Sequence, residues 1–163
     1  MYVIDTDSLL TIAQIVPEEN INFLLEDLVP LVERGDICFP DLVIAEVRQL
    51  AHGESVALWV RSVAGSRTCK SVAYQFTIQV LATASELLDD TGEEESSQVA
   101  VAAMALHFRA GGGVRVVTED RRPLPTRSNL VQACQSLGIE AVSALAFIKS
   151  IGLDCHLSVA SDP

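Results

Sequence analysis

Asp5, Glu46 and Asp120 are the residues of this chain whose types and places could do chemistry together. Asp5 ends the apolar run Tyr2-Val3-Ile4, and Asp120 follows Val114-Arg115-Val116-Val117 by way of Thr118 and Glu119. Glu46 sits inside the helix expected after Ile37-Cys38-Phe39. Short apolar runs of this kind read as buried parallel strands, and open α/β folds collect their ligands at the carboxyl edge of such a sheet. Carboxylates delivered to one edge make a site for a hard divalent cation. Mg2+ or Mn2+ takes oxygen ligands and is commonly held by one or two carboxylates, with waters and substrate phosphates around it. Crowded acids repel one another near neutral pH and call for that cation. Such ions activate water and stabilise the leaving oxygen of a phosphodiester. Taken singly, each acid has a structural use: Asp5 as a helix cap, Glu46 as a surface helix residue, Asp120 in a turn. Their joint placement points to a site. Asp7 could assist through metal-bound water, or cap the next helix.

For these acids to meet, strands must alternate with helices. A helix over 8–16 follows the first strand, and Pro17-Glu18-Glu19 opens another, with proline and acids where a first turn prefers them. Ile21, Leu24, Leu25, Leu28, Leu31 and Val32 keep helical spacing up to Gly35. After the strand at 37–39, Asp41 is expected to cap the helix that carries Glu46. Further helices are expected over 54–64 and 72–88. The acidic stretch 89–97 reads as a loop, with Ser96 or Ser97 capping an Ala-rich helix over 99–108 that ends at Gly111-Gly112-Gly113. A strand over 114–117, a helix over 128–137, a strand over 139–142 and a helix over 143–151 complete the alternation. The expected fold is α/β, a three-layer Rossmann-like sandwich with a short parallel sheet flanked by helices. It forms one domain over 1–152, with an irregular tail over 153–163.

Composition bounds the function. The 163 residues are 49% apolar and 20% charged, enough to bury a core in a single domain. No apolar run reaches the roughly 18 residues that a membrane span needs. The start lacks the basic region of a signal peptide, so the protein is expected to be cytoplasmic and without a membrane partner. Cys38, Cys69, Cys134 and Cys155 stand apart from one another and from His52, His107 and His156 in any zinc-like spacing. They are expected to be ordinary thiols in a reducing compartment. The formal charge of −11, from 22 acids against 11 Lys and Arg, argues against tight nonspecific binding to long nucleic acids. Arg115, Arg121, Arg122 and Arg127 bracket Asp120, either as a local nucleic-acid-binding patch or as loop residues paired with nearby acids. Trp59 and His107 read as core residues.

The succession of VIDTDSLL, FPDLVIAEV and an Ala-rich helix running into VRVVTED resembles the PIN-domain family over nearly the whole chain. The resemblance implies a Rossmann-like sandwich and an Mg/Mn-dependent ribonuclease, the activity of many toxins of bacterial toxin–antitoxin pairs. On that match Asp5 is the first metal-binding acid, Glu46 the second and Asp120 the last, with Thr118 the hydroxyl residue before it. The family's third acid, three residues before Val101-Ala102-Ala103, falls on Gln98, which is neutral. Glu95, one turn earlier, is the expected substitute, with Ser97 adding a hydroxyl. The implied partners are an RNA substrate, a second copy of the chain, and an antitoxin. Such an antitoxin would block the acidic pocket, for instance with an arginine, and cover the apolar helices near 18–32 and 54–64.

Two rivals remain at this stage. A degenerate PIN-like interaction module without nuclease activity fits Gln98 and the negative charge. A haloacid-dehalogenase-like phosphohydrolase fits Asp5-Thr6-Asp7, with Asp5 as nucleophile and Asp7 as acid–base partner. Against it stand the short chain and the scarcity of lysine, which is confined to Lys70 and Lys149.

Overall fold

The computed structural model describes residues 1–88, 97–122 and 124–158. Four parallel strands form its sheet: β1 (Tyr2–Ile4), β2 (Ile37–Cys38), β3 (Arg115–Val117) and β4 (Glu140–Val142), in the order β2-β1-β3-β4. Tyr2 pairs with Ile37 on one side and Arg115 on the other, and Arg115 pairs with Glu140. Val3, Ile4, Ile37, Cys38, Val116 and Val117 are fully buried. Strands covered on both faces read as continuous apolar runs rather than alternating ones, which is why these were legible.

The helices are α1 (Thr6–Ile15), α2 (Glu18–Arg34), α3 (Asp41–Leu50) and α4 (Ser55–Val63) in the first half of the chain. α5 (Tyr74–Thr83), α6 (Ser97–Arg109), α7 (Leu130–Leu137) and α8 (Ala144–Ser150) follow. From β1 the chain moves outward to β2, returns past β1 to β3, and continues to β4. Right-handed crossovers therefore place the helices after β1 and those after β3 on opposite faces. The direction of winding reverses between β1 and β3, the switch point at whose carboxyl edge open α/β sheets place their ligands. The result is an α/β fold compatible with a three-layer Rossmann-like arrangement. No helix among the described residues is long and apolar enough to cross a membrane.

Several local expectations need correction. Asp41 begins α3 but does not cap it; its carboxylate is instead taken by Arg67 at 2.5 Å. Arg67 is buried and also donates to the carbonyls of Phe39 and Ala64, so it ties the loop after α4 to the end of β2. The helix expected over 72–88 breaks at Ala84, and a 3-10 turn over Ser85–Leu87 turns Leu87 fully into the core. The helix expected over 128–137 begins at Leu130, and Asn129 caps it. Its side chain accepts from the Gln132 amide, and the Gln132 side chain reaches back to the Asn129 amide. The stretch expected to be an irregular tail instead opens with a 3-10 turn over Asp154–Leu157, which docks on α2. There Asn20 holds the carbonyls of His156 and Ser158, and His156 meets Asp27 at 2.8 Å. Cys38 and Cys69 are joined in a disulfide, with Cα atoms 6.2 Å apart, so the expectation of four plain thiols does not hold. Cys134 and Cys155 are free.

Candidate functional site

The candidate residues come from three chain segments: the end of β1, the middle of α3 and the turn after β3. Asp5 leaves β1 and caps α1, its Oδ1 accepting from the Ser8 amide at 2.8 Å. The structural use foreseen for Asp5 is therefore real, but it occupies one oxygen. The other, Oδ2, is buried with no hydrogen-bond partner. Asp5 is 1% exposed, and burial pushes its carboxyl up to about 7, the nearby Thr118 hydroxyl and the Ser8 contacts offsetting only part of the rise. Cys134 lies beneath it, and burial first and the Asp5 charge second push that thiol up to about 12.

Glu46 projects from α3 toward the start of α6. Its Oε1 accepts from the Ser97 amide at 2.8 Å, and its Oε2 accepts from the Ser97 hydroxyl at 2.7 Å and from the Thr6 hydroxyl. Sequence reasoning assigned Thr6 no role, although its place beside Asp5 at the end of β1 was its signal. Gln98 follows Ser97 on α6; it is 9% exposed, and its Oε1 is buried without a partner. Glu95, the expected substitute for the third acid, lies outside the described residues.

Asp120 comes from the turn after β3. Its amide is held by the Thr118 hydroxyl at 3.0 Å, and its Oδ2 accepts from the Leu130 amide at 2.9 Å, at the opening of α7. Arg127 donates to the same oxygen at 2.7 Å, and both side chains are less than a tenth exposed. Asp7 is exposed at the rim. Partial burial first, then the charges of Asp120 and Glu46, raise its pKa, while Arg127 acts in the opposite direction. That electrostatic coupling puts Asp7, Glu46, Asp120 and Arg127 in one field. Glu119 turns away, accepting from the Ala144 amide at 2.7 Å where α8 starts.

The four arginines do not form one patch. Arg115 begins β3, at the opposite end of the sheet, where it meets Glu140 at 2.7 Å and the Tyr2 hydroxyl. Arg121 donates to the Thr118 carbonyl and faces Glu119 at 3.7 Å. Arg122 is exposed, and Arg127 is turned inward onto Asp120.

The donor set is all oxygen, and one of those oxygens, Asp5 Oδ2, is buried and unspent; that suits a hard cation. The acids are not already drawn together as a ligand cage. Among the described residues no three His, Cys, Asp or Glu side chains stand close enough to hold a metal as they are. Compared with family models, curated proteins and solved structures, the chain gives no match.

Proposed function

We propose that this chain is a divalent-metal-dependent phosphodiester hydrolase of PIN-domain type acting on RNA. The observation that carries this reading is the orphaned Oδ2 of Asp5, buried at the end of β1, with Glu46 and Asp120 both acting on the nearby Asp7. A fully buried carboxylate oxygen with no partner is costly unless a proton or a cation meets it. Asp5, Glu46 and Asp120 would hold the ion, with Asp7 orienting a water at the rim. A bound Mg2+ or Mn2+ would activate water and stabilise the charge developing on the phosphodiester. Within the chain, Thr6 and Ser97 orient Glu46, Thr118 fixes the turn that presents Asp120, and Ser8 holds Asp5 in register. Arg122, exposed beside the site, is available to an RNA phosphate.

The test is manganese binding by calorimetry on the wild type and on Asp5→Asn combined with Asp120→Asn, followed by cleavage of single-stranded RNA. Binding and cleavage that both vanish in the double variant support the reading. No heat at millimolar manganese overturns it. A second reading, an interaction module on a nuclease-like scaffold, is favoured by the arginine already seated on Asp120 and by the neutral Gln98. Absence of manganese binding would leave that reading standing.

A further inference from the structure

We propose that an open groove leading to Asp120, lined by uncharged hydroxyls and amides, seats a single RNA strand by its bases and ribose hydroxyls rather than by its phosphates. The inference rests on the RNA-directed reading above. Two overlapping hollows of about 410 and 620 Å³ share Ser85, Glu86, Ser128 and Gln132, and so make one groove. One bank is the 3-10 turn after α5 and the other is a face of α7. The Ser128 amide joins them by donating to the Glu86 carbonyl at 2.6 Å. Gln132, Gln135 and Ser136 stand at i, i+3 and i+4 on α7 and therefore share that face. At one end the groove reaches Arg127, whose Nη1 donates to Asp120 Oδ2 at 2.7 Å. A strand lying in it comes to Asp120 by way of that arginine.

The lining is unspent. Among the described residues none hydrogen-bonds the side chains of Ser85, Gln135 or Ser136, and Gln132 gives its Oε1 to the Asn129 amide but keeps its NH2 group. A hydroxyl both donates and accepts, and a glutamine amide offers two N–H donors and an oxygen. Base edges and 2′-hydroxyls answer that mixture. The charges point the same way. Among the described residues of the lining, the charged ones are Glu86, which repels a phosphate, and Arg127, whose guanidinium is already seated on Asp120. A chain of net charge −11 that holds a polyanion here must turn the phosphates out to solvent and the bases inward. No aromatic ring stands among the described lining residues, so base edges rather than stacking carry the recognition.

The experiment titrates a fluorescein-labelled, mixed-sequence single-stranded RNA with the full chain and reads binding by anisotropy. EDTA is present, so that no metal-dependent cut occurs. An abasic strand of the same length, which keeps every phosphate and ribose, is expected to bind about tenfold more weakly, and a deoxyribose strand to bind more weakly than the RNA. Gln135→Ala combined with Ser136→Ala, at exposed positions where alanine keeps the helix, is expected to lose about tenfold in RNA affinity. The same double variant should give the manganese heat of the wild type. Equal binding of abasic and intact strands, RNA affinity unchanged in the folded double variant, or no RNA binding by a chain that takes manganese would each overturn the proposal and leave the metal-dependent reading standing. Base-dependent RNA binding that the double variant loses, in a chain that takes no manganese, would uphold the groove and overturn the hydrolase.

Discussion

Asp5 carries opposite demands. As the N-cap of α1 it stabilises the fold, and as a buried acid with one unpartnered oxygen it opposes it. Its carboxyl sits at about 7 against an ordinary 3.8, so between those values the folded chain keeps a proton that the unfolded chain has lost. Stability therefore falls as pH rises through this window, and the deficit is complete above the folded value. Asparagine cannot ionise and keeps an acceptor for the Ser8 amide. Asp5→Asn should thus be more stable than wild type by on the order of 2–4 kcal/mol near about pH 8, the gain shrinking toward zero near about pH 4. Urea melts of metal-free protein across that range check it; a gain independent of pH would show that ionisation of Asp5 is not the cause. The sequence singled out Asp5, Glu46 and Asp120 but not what each already holds in the fold. Thr6 on Glu46 is a contact across 40 residues, invisible to spacing, whereas Arg127 on Asp120 spans seven and follows the alternative in which the bracketing arginines pair with nearby acids.

The ends of the helices decide how well the turn at Asp120 is held. Asn129 caps α7 and also donates to the Arg121 carbonyl at 2.9 Å, so it clamps the loop that carries Arg127. Asn129→Ala should cost about 1 kcal/mol, typical of a lost cap, read as a lower midpoint in urea. Asn129→Ser, which keeps an acceptor, should recover most of it. At the end of α2, Gly35 has φ +80, and a Cβ there would run into the Thr68 hydroxyl. Gly35→Ala should cost about 1–3 kcal/mol, partly recovered when Thr68→Ala is added; no recovery would assign the whole cost to the backbone. Most elements were legible because apolar spacing and glycine stops are local signals. The break at Ala84 was not, since it follows from burying Leu87, and neither was the Asp41–Arg67 pair, which a loop brings together.

The order of strands and helices was readable because a parallel sheet needs alternation, and the sheet order then fixed where the switch point lies. The disulfide was not readable, since Cys38 and Cys69 are separated by 31 residues with no spacing motif. A closed loop of that size stabilises by about 3–4 kcal/mol through the unfolded chain. Cys38→Ser with Cys69→Ser, or a strong reductant, should lower stability by that order in denaturant melts. An unchanged midpoint would mean that the bond does not form in solution. Net charge bears on binding as well. With −11 overall, and Arg115, Arg121 and Arg127 each paired with an acid, few cations are left to release counterions from a nucleic acid. Affinity for a single-stranded RNA should therefore fall only gently with salt, with a logarithmic slope of about one to two. A slope several times steeper would reveal a basic surface that the ion pairs do not suggest.

Glu46 accepts the amide of Ser97, the residue that opens α6, so the beginning of that helix is finished by an acid belonging to α3. An ion drawing on the Glu46 carboxylate competes with that amide for its electrons. Arrival of an ion at Glu46 should consequently register as faster amide hydrogen exchange at Ser97, well before any product is formed. The same arrangement splits two kinds of damage at Glu46: Glu46→Gln keeps an acceptor for Ser97 while losing the charge, whereas Glu46→Ala frays the helix as well.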